Sequence, residues 1–581
     1  MRVTLAGTRI AAPGAPMDEA QSNLALGSLQ AYLQQRAPQG LELHRKDFPI
    51  TLADPVLPAG AIDRLLAEDP EVVGLSSYCW DSDAFRDAAA ALKRRAPGIT
   101  VIIGGATATY GGLALMQRAP AIDLAVRGEG EETLLELLTG GLRRPGEVAG
   151  VLYRDGDAIR ETPPRPPIAD LGALPSPYLT GVMRPPREQL PVQWSRGCVF
   201  RCKYCAWKDA YDGLRCVAPA AAAAELRWAR AEGYRHAYVL DSALNFDTAR
   251  LRALAAAVGP ELGPEPGPLR LSFYLSHAHY GAPQQGPLRA LQPHSIWLGL
   301  ESLNPAALRA IQRPPVDLRR FTRALDELSA LAPVMVSVIL GIPGDDLAGF
   351  KATLDAVTAL AEDGPRRRIA IIQVFWMLVA PGSAFDERRQ ELGVRTAAPG
   401  MPYLLDSRSF PQPDLEAALR YLFTHPRRDL LHWDDPHPEK FFPALAGLPP
   451  LKSLHAATRS IPERAAASAP TPPSAPAGLP LATAQELLPD CVPGAAVVND
   501  WRVAAWTEVG GWPTLCLERP GREARIQIRR RDEQKPCFAR TRSFDLTWLA
   551  DPGPPGAQAK AGRELQRVFD LLTAAIARRD R

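Results

Sequence analysis

Long apolar runs are missing from this chain. None of its 581 residues begins a stretch approaching the roughly 18 uninterrupted apolar side chains of a membrane-spanning helix, so no membrane partner is expected. The N-terminus reaches Pro13, Pro16, Asp18 and Glu19 before any apolar run that could serve as a secretory signal, and a cytoplasmic location is expected. Cysteine is scarce, eight in 581; a chain of this length is no disulfide-stapled miniprotein, and in the expected cytoplasmic setting the thiols stay reduced for metal or chemistry. Net charge is also small, +3 from 67 basic and 64 acidic residues. No global attraction to nucleic acid follows, and the arginine runs at 366–368 and 529–531 read as solvated faces. A G-x-G-x-x-G fingerprint is absent after the first strand. Gly128-Glu129-Gly130, followed by Glu131 and Glu132, would repel a pyrophosphate rather than bind it.

Proline is abundant, 58 residues, and it marks the boundaries. Residues 1–160 alternate short apolar runs with helical spacing. Val72 to Ser76 reads as a strand, Phe85, Ala88, Ala89 and Leu92 as one helix face, and Val101 to Gly105 and Leu124 to Val126 as further strands. This rhythm predicts a doubly wound, Rossmann-like α/β domain. Residues 161–189 form a proline-rich linker. Between 190 and 390, strand-like segments near 237–240, 271–275, 296–300, 334–340 and 369–375 alternate with helical stretches, predicting a partial (β/α)6 barrel. Residues 391–460 read as a helical extension and 461–480 as a Pro/Ala-rich linker. Residues 481–581 read as a small α+β domain of unknown role, with a closing helix near 565–576.

The strongest chemical signal is Cys198-Val199-Phe200-Arg201-Cys202-Lys203-Tyr204-Cys205, which spaces thiols C-x3-C-x2-C just after a strand-like segment. Three thiolates on one short loop can hold three irons of a four-iron cluster and leave the fourth open to a substrate molecule. Structural zinc is the competing reading. It wants four ligands, and the nearest fourth thiol is Cys216. Cys491, Cys516 and Cys537 are too widely spaced for a second cluster and read as buried thiols.

The cysteine spacing, with Tyr204 just before the third thiol, resembles the radical S-adenosylmethionine (SAM) superfamily. The resemblance implies one 4Fe-4S cluster on Cys198, Cys202 and Cys205, which binds SAM and cleaves it with one electron to a substrate-activating radical. It continues through Ser242 in Leu240-Asp241-Ser242, Glu301 in Gly299-Leu300-Glu301-Ser302, and Gly341 in Gly341-Ile342-Pro343-Gly344. With Tyr204, these residues are implied to shape the SAM pocket. His277 and His279 fall near the third strand's end and are candidates to face substrate.

A Rossmann-like domain ahead of such a barrel is similar to the cobalamin-dependent class of this superfamily. That likeness rests on Val72-Val73-Gly74-Leu75-Ser76-Ser77-Tyr78-Cys79-Trp80, Ile103-Gly104-Gly105-Ala106-Thr107 and Val126-Arg127-Gly128-Glu129-Gly130-Glu131. It implies cobalamin held by Ser76, Ser77, Tyr78, Gly104, Gly105, Gly128 and Glu129. No Asp-x-His-x-x-Gly motif occurs, so the corrin is expected to lack a histidine ligand, and Tyr78 and Trp80 are candidates to cap its lower face. The expected activity is methyl transfer to an unactivated carbon of a natural-product or peptide substrate. Radical cyclisation or rearrangement with the same cofactors is the alternative. An electron donor such as flavodoxin or ferredoxin is the implied partner, and neither nucleic acid nor membrane is.

Overall fold

A computed structural model describes residues 1–10, 23–52, 55–187, 189–205, 213–265, 267–362, 367–398 and 400–453, and strand segments between 496 and 548. The chain divides into two units, Met1–Arg464 and Ala465–Arg581.

The first unit begins with β1 (Arg2–Ile10), α1 (Leu24–Arg36), β2 (Glu42–Ile50), α2 (Ala61–Leu66), β3 (Val72–Ser76), α3 (Ser82–Arg95), β4 (Thr100–Gly104), α4 (Ala106–Arg118), β5 (Leu124–Val126), α5 (Gly130–Leu138), β6 (Val151–Asp155) and β7 (Ala158–Glu161). Its sheet runs β2-β1-β3-β4-β5-β6-β7. The first five strands are parallel, and β6 and β7 are added antiparallel. The five-strand order reverses direction between β1 and β3, the switch point outside which such sheets bind ligands. Each face buries its own cluster. Phe85, Ala89, Val101 and Leu115 pack on one side, and Val3, Leu26, Ile102 and Leu134 on the other. The helix face expected at Phe85, Ala88, Ala89 and Leu92 is the buried face of α3.

A second sheet follows from β8 (Leu190–Val192), with a two-residue ribbon β9 (Ser195–Arg196) and β10 (Arg215–Cys216). Next come α6 (Pro219–Ala231), β11 (His236–Val239), α7 (Thr248–Leu262), β12 (Arg270–Leu275), α8 (Gln285–Ala290), β13 (Pro293–Glu301), α9 (Pro305–Ala310), α10 (Leu318–Leu331), β14 (Val334–Leu340), α11 (Leu347–Glu362) and β15 (Ile371–Trp376). Strands β8 and β11 to β15 are parallel neighbours in chain order, the partial barrel expected from the spacing. The extension carries short helices α12 (Ala384–Glu387) and α13 (Arg389–Leu392), a hairpin of β16 (Arg395–Thr396) and β17 (Leu404–Asp406), and α14 (Gln412–Phe423). It also returns β18 (Leu431–His432) to the sheet as a seventh, parallel strand. Among the described residues, no helix is long and apolar enough to cross a membrane.

In the second unit, β19 (Ala496–Val498), β20 (Trp501–Val509), β21 (Trp512–Arg519), β22 (Arg522–Arg530), β23 (Ala539–Arg540) and β24 (Phe544–Trp548) form an antiparallel sheet in the order β19-β20-β21-β22-β24-β23. The 461–480 linker, the helix expected near 565–576, Cys491 and Cys537 lie outside the described residues.

Candidate functional site

The cysteine loop is built at the carboxyl end of the barrel strands. Asp241, just past β11, accepts the N–H groups of Trp194 and Ser195 at 2.7 and 3.0 Å, which turns the chain from β8 into β9. Burial pushes the Asp241 carboxyl up to about 6 against those hydrogen bonds. Strands β9 and β10 pair Arg196 with Arg215, and the three thiols lie between them. At the base of this loop Gly197 has φ +95°, and a Cβ there would sit 2.0 Å from the Gly213 carbonyl oxygen. The Ser242 hydroxyl donates to the Gly197 carbonyl at 3.1 Å, and Lys203 N–H donates to Ile311, fastening the loop to the end of α9. Cys202 is buried, while Cys198 and Cys205 are partly exposed. Among the described residues, no three His, Cys, Asp or Glu side chains are grouped to hold a single metal ion.

Four groups converge beneath Cys202. A bulge in β13 leaves Glu301 at φ +68°, a strained conformation for a non-glycine residue and one often stored at functional sites. Its carboxylate accepts from Tyr204 at 3.1 Å, Arg313 at 3.0 Å and Ser337 at 3.3 Å. Arg313 also donates to Tyr204 and, through Nε, to the Cys202 sulfur at 3.2 Å, and it lies over the Phe200 ring. Burial pushes the Cys202 thiol up, and Arg313 opposes the shift. Burial alone would lower the Arg313 pKa, but Glu301, Tyr204 and Cys202 outweigh it and hold the guanidinium charged. Sequence reasoning missed Arg313. It stands in Gln312-Arg313-Pro314-Pro315, where nothing but its place after α9 marks it.

Thus Tyr204 and Glu301 meet at Cys202, and Ser242 holds the loop's first residue. Gly341 ends β14 at φ +87°, facing Leu404, Leu415 and Met377. A pocket opens between Phe200, Ser276, His277, Leu300, Arg313 and Val316. His279 bonds Ser276 and sits edge-on to Phe200. Burial, then Arg313, lowers His277 to about 4, so this side chain gains stability for the fold that is lost as pH falls from about 6.5 through 4. His277→Gln is expected to flatten the pH dependence of unfolding in that window by up to one proton, as read from urea melts.

The second cluster of expected residues lies at the carboxyl ends of β3, β4 and β5. Gly105 has φ +86°, and a Cβ there would lie 2.4 Å from the Ser77 carbonyl oxygen. Gly104 and Gly128 face open space. Ser77 is fully buried and its hydroxyl donates to Asp81 at 3.1 Å, so it shapes this edge from within. Asp81 also accepts from Thr8 and Tyr78 N–H, and burial pushes it up to about 6. Tyr78 and Trp80 stack, with centroids 4.6 Å apart. The Glu129 carboxylate faces Arg196 and Arg215 of the cysteine ribbon, so it is committed to protein partners. Gly105→Ala is expected to cost about 1–3 kcal/mol for the positive φ alone, and more for the backbone clash, as a lowered unfolding midpoint.

The family described as B12 binding domain matches residues 30–138. The chain is 26% identical over 405 residues to the 2-(S-pantetheinyl)-carbapenam-3-carboxylate methyltransferase of Streptantibioticus cattleyicolor, a match covering 64% of this chain and 56% of that one. It is 26% identical over 356 residues to the cobalamin-dependent radical SAM methyltransferase TokK of Streptomyces tokunonensis, covering 56% and 50%. The chain thus spans about half the length of the curated relatives it matches. Its fold is similar to that of the radical SAM methyltransferase TsrM from Kitasatospora setae, solved with cobalamin and a [4Fe-4S] cluster. The TM-score is 0.53 at 18% identity, covering 68% of this chain and 76% of TsrM. A region matching the B12 binding domain thus precedes the parallel sheet that carries the three-thiol loop, an arrangement similar to that of the cobalamin-dependent radical SAM methyltransferases.

Proposed function

We propose that the chain is a cobalamin-dependent radical SAM methyltransferase acting on an unactivated carbon of a small-molecule or peptide natural product. The observation that carries this reading is the three-thiol loop, braced at the barrel mouth and joined to a B12-binding domain. The donor set fits a 4Fe-4S cluster: three soft thiols on one loop, one already accepting an N–H from a buried cation. The carboxyl ends of the N-terminal strands fit a corrin, since a Cβ at Gly104 or Gly128 would meet nothing within 4 Å and the backbone there is open to a close approach.

In this reading Cys198, Cys202 and Cys205 hold the cluster. Tyr204, Ser242, Glu301 and Gly341 shape the SAM pocket, and Ser76, Tyr78, Gly104, Gly105 and Gly128 line the cobalamin cleft. When bound, the cluster supplies a single electron to SAM, and cobalamin supplies the methyl group. Arg313 keeps positive charge against the Cys202 sulfur and fixes the Glu301 and Tyr204 side chains. Phe200, Leu300 and Val316 present apolar surface to the pocket beside the loop. Electrons come from a flavodoxin- or ferredoxin-type donor.

Anaerobic turnover with SAM and a strong reductant tests the reading. Formation of both 5′-deoxyadenosine and S-adenosylhomocysteine, with a substrate gaining one methyl group, is expected. Deoxyadenosine with a rearranged, unmethylated product would favour cyclisation instead, and no SAM cleavage would end both.

A further inference from the structure

Four charged side chains meet where the N-terminal domain touches the cysteine ribbon. Glu129 accepts from Arg196 at 2.8 Å and from Arg215 at 2.9 and 3.1 Å, and Glu131 accepts from Arg196 at 2.6 Å. All four are nearly buried: the carboxylates are 4–5% exposed and the guanidiniums 11–13%. Two positive charges face two negative ones, so the seam is neutral, as a buried charge set must be. Glu129 also accepts from Ile168 N–H at 2.6 Å, which ties in the linker.

The two arginines stand opposite each other in the ribbon that closes the cysteine loop, and Arg196 lies two residues before Cys198. The carboxylates stand at the entry of α5, directly after Gly128. Gly128 N–H donates to Thr109 Oγ1 at 3.1 Å, and that hydroxyl donates to the Gly105 carbonyl at 2.9 Å. The Gly105 backbone passes so close to Ser77 that a Cβ there would lie 2.4 Å from the Ser77 carbonyl oxygen. Hydrogen bonds therefore link Gly105 through Thr109 to Gly128, the peptide bond carries the connection to Glu129, and the Glu129 carboxylate holds both ends of the thiol loop.

We propose that Glu129 and Glu131 are positioning residues that clamp the cysteine loop to the cleft through Arg196 and Arg215, so that filling the cleft steadies the loop. The inference rests on the cofactor assignment of the proposed function. It reassigns the Glu129 side chain from cofactor contact to loop positioning. Because the clamp links two sites, the linkage is reciprocal: a filled cleft edge favours the closed loop, and an assembled loop favours a filled cleft edge by the same factor.

The test uses the full chain reconstituted with iron and sulfide, with and without hydroxocobalamin, and follows iron loss to a chelator by visible absorbance. In the wild type, corrin loading is expected to slow iron loss severalfold. In Glu129→Gln, iron loss is expected to rise about tenfold, the scale of losing one hydrogen bond to a charged group. Corrin stoichiometry is expected to stay at the wild-type value while the protective effect of corrin disappears. A general loss of stability would lower corrin content and iron retention together and leave the ratio between loaded and unloaded protein unchanged. Arg215→Lys keeps the charge but loses the two-pronged contact, and it carries the same test if Glu129→Gln fails to fold, with an intermediate rate expected. Iron loss and corrin protection unchanged in a folded variant overturn the clamp alone. A wild type that takes up neither cofactor overturns the functional reading on which the clamp stands.

Discussion

Arg313→Met is expected to be among the most damaging single substitutions in the barrel. The guanidinium is 16% exposed and its partner Glu301 is 7% exposed, so the change leaves a carboxylate buried with only the hydroxyls of Tyr204 and Ser337 as donors. Breaking a buried pair by removing one partner costs about 3–5 kcal/mol, because the surviving charge has been taken out of water without compensation. Denaturant melts of the unreconstituted chain measure this cost directly. The double variant Glu301→Gln with Arg313→Met removes both charges and is expected to recover most of the loss, the non-additivity that marks a coupled pair. A second consequence is local. Arg313 Nε donates to the Cys202 sulfur, and hydrogen bonds to ligating sulfurs help set a cluster's potential. The variant's cluster is therefore expected to be harder to reduce, as read by redox titration.

Gly197→Ala is expected to abolish cluster assembly with little effect on the N-terminal domain. The added Cβ would lie 2.0 Å from a backbone oxygen, and φ is +95°, so neither a side-chain shift nor a rotamer change relieves it. The base of the loop must open, and the three thiols lose their common frame. Iron content after reconstitution is expected to fall to a small fraction of wild type, while corrin uptake persists. Gly213→Ala separates clash from strain. Gly213 also has a positive φ, +82°, yet a Cβ there meets nothing within 4 Å. That variant is expected to cost about 1–3 kcal/mol and to retain most of its iron.

The sequence carried the parts of this molecule that depend on local pattern. The thiol spacing, the strand at Val334–Leu340 and the buried stripe of α3 are periodicities or spacings within one segment, and each lies within a residue or two of its expected place. Strand β2 was illegible for a physical reason: at the sheet edge it reads Glu-Leu-His-Arg-Lys-Asp-Phe-Pro-Ile and lacks the apolar run of its buried neighbours. The pairings that hold the site were illegible because they span distant segments. Arg196 meets Glu129 across 67 positions and Arg313 meets Cys202 across 111. No local spacing announces a partner that far away. Glu129 shows the consequence. The resemblance at Val126-Arg127-Gly128-Glu129-Gly130-Glu131 implies a cofactor contact for Glu129, and its carboxylate is directed to two arginines of the cysteine ribbon.

The proposed function requires two cofactors on one chain, a cluster on the barrel loop and a corrin at the N-terminal sheet. Anaerobic reconstitution with iron, sulfide and hydroxocobalamin measures both directly, with iron and corrin counted per chain in the wild type and in the Cys198, Cys202 and Cys205 triple-alanine variant. One four-iron cluster and one corrin are expected in the wild type, with the cluster alone lost in the variant. A wild type that binds a cluster and no corrin would contradict the proposed function, leaving the N-terminal domain as scaffold and removing the basis for methyl transfer.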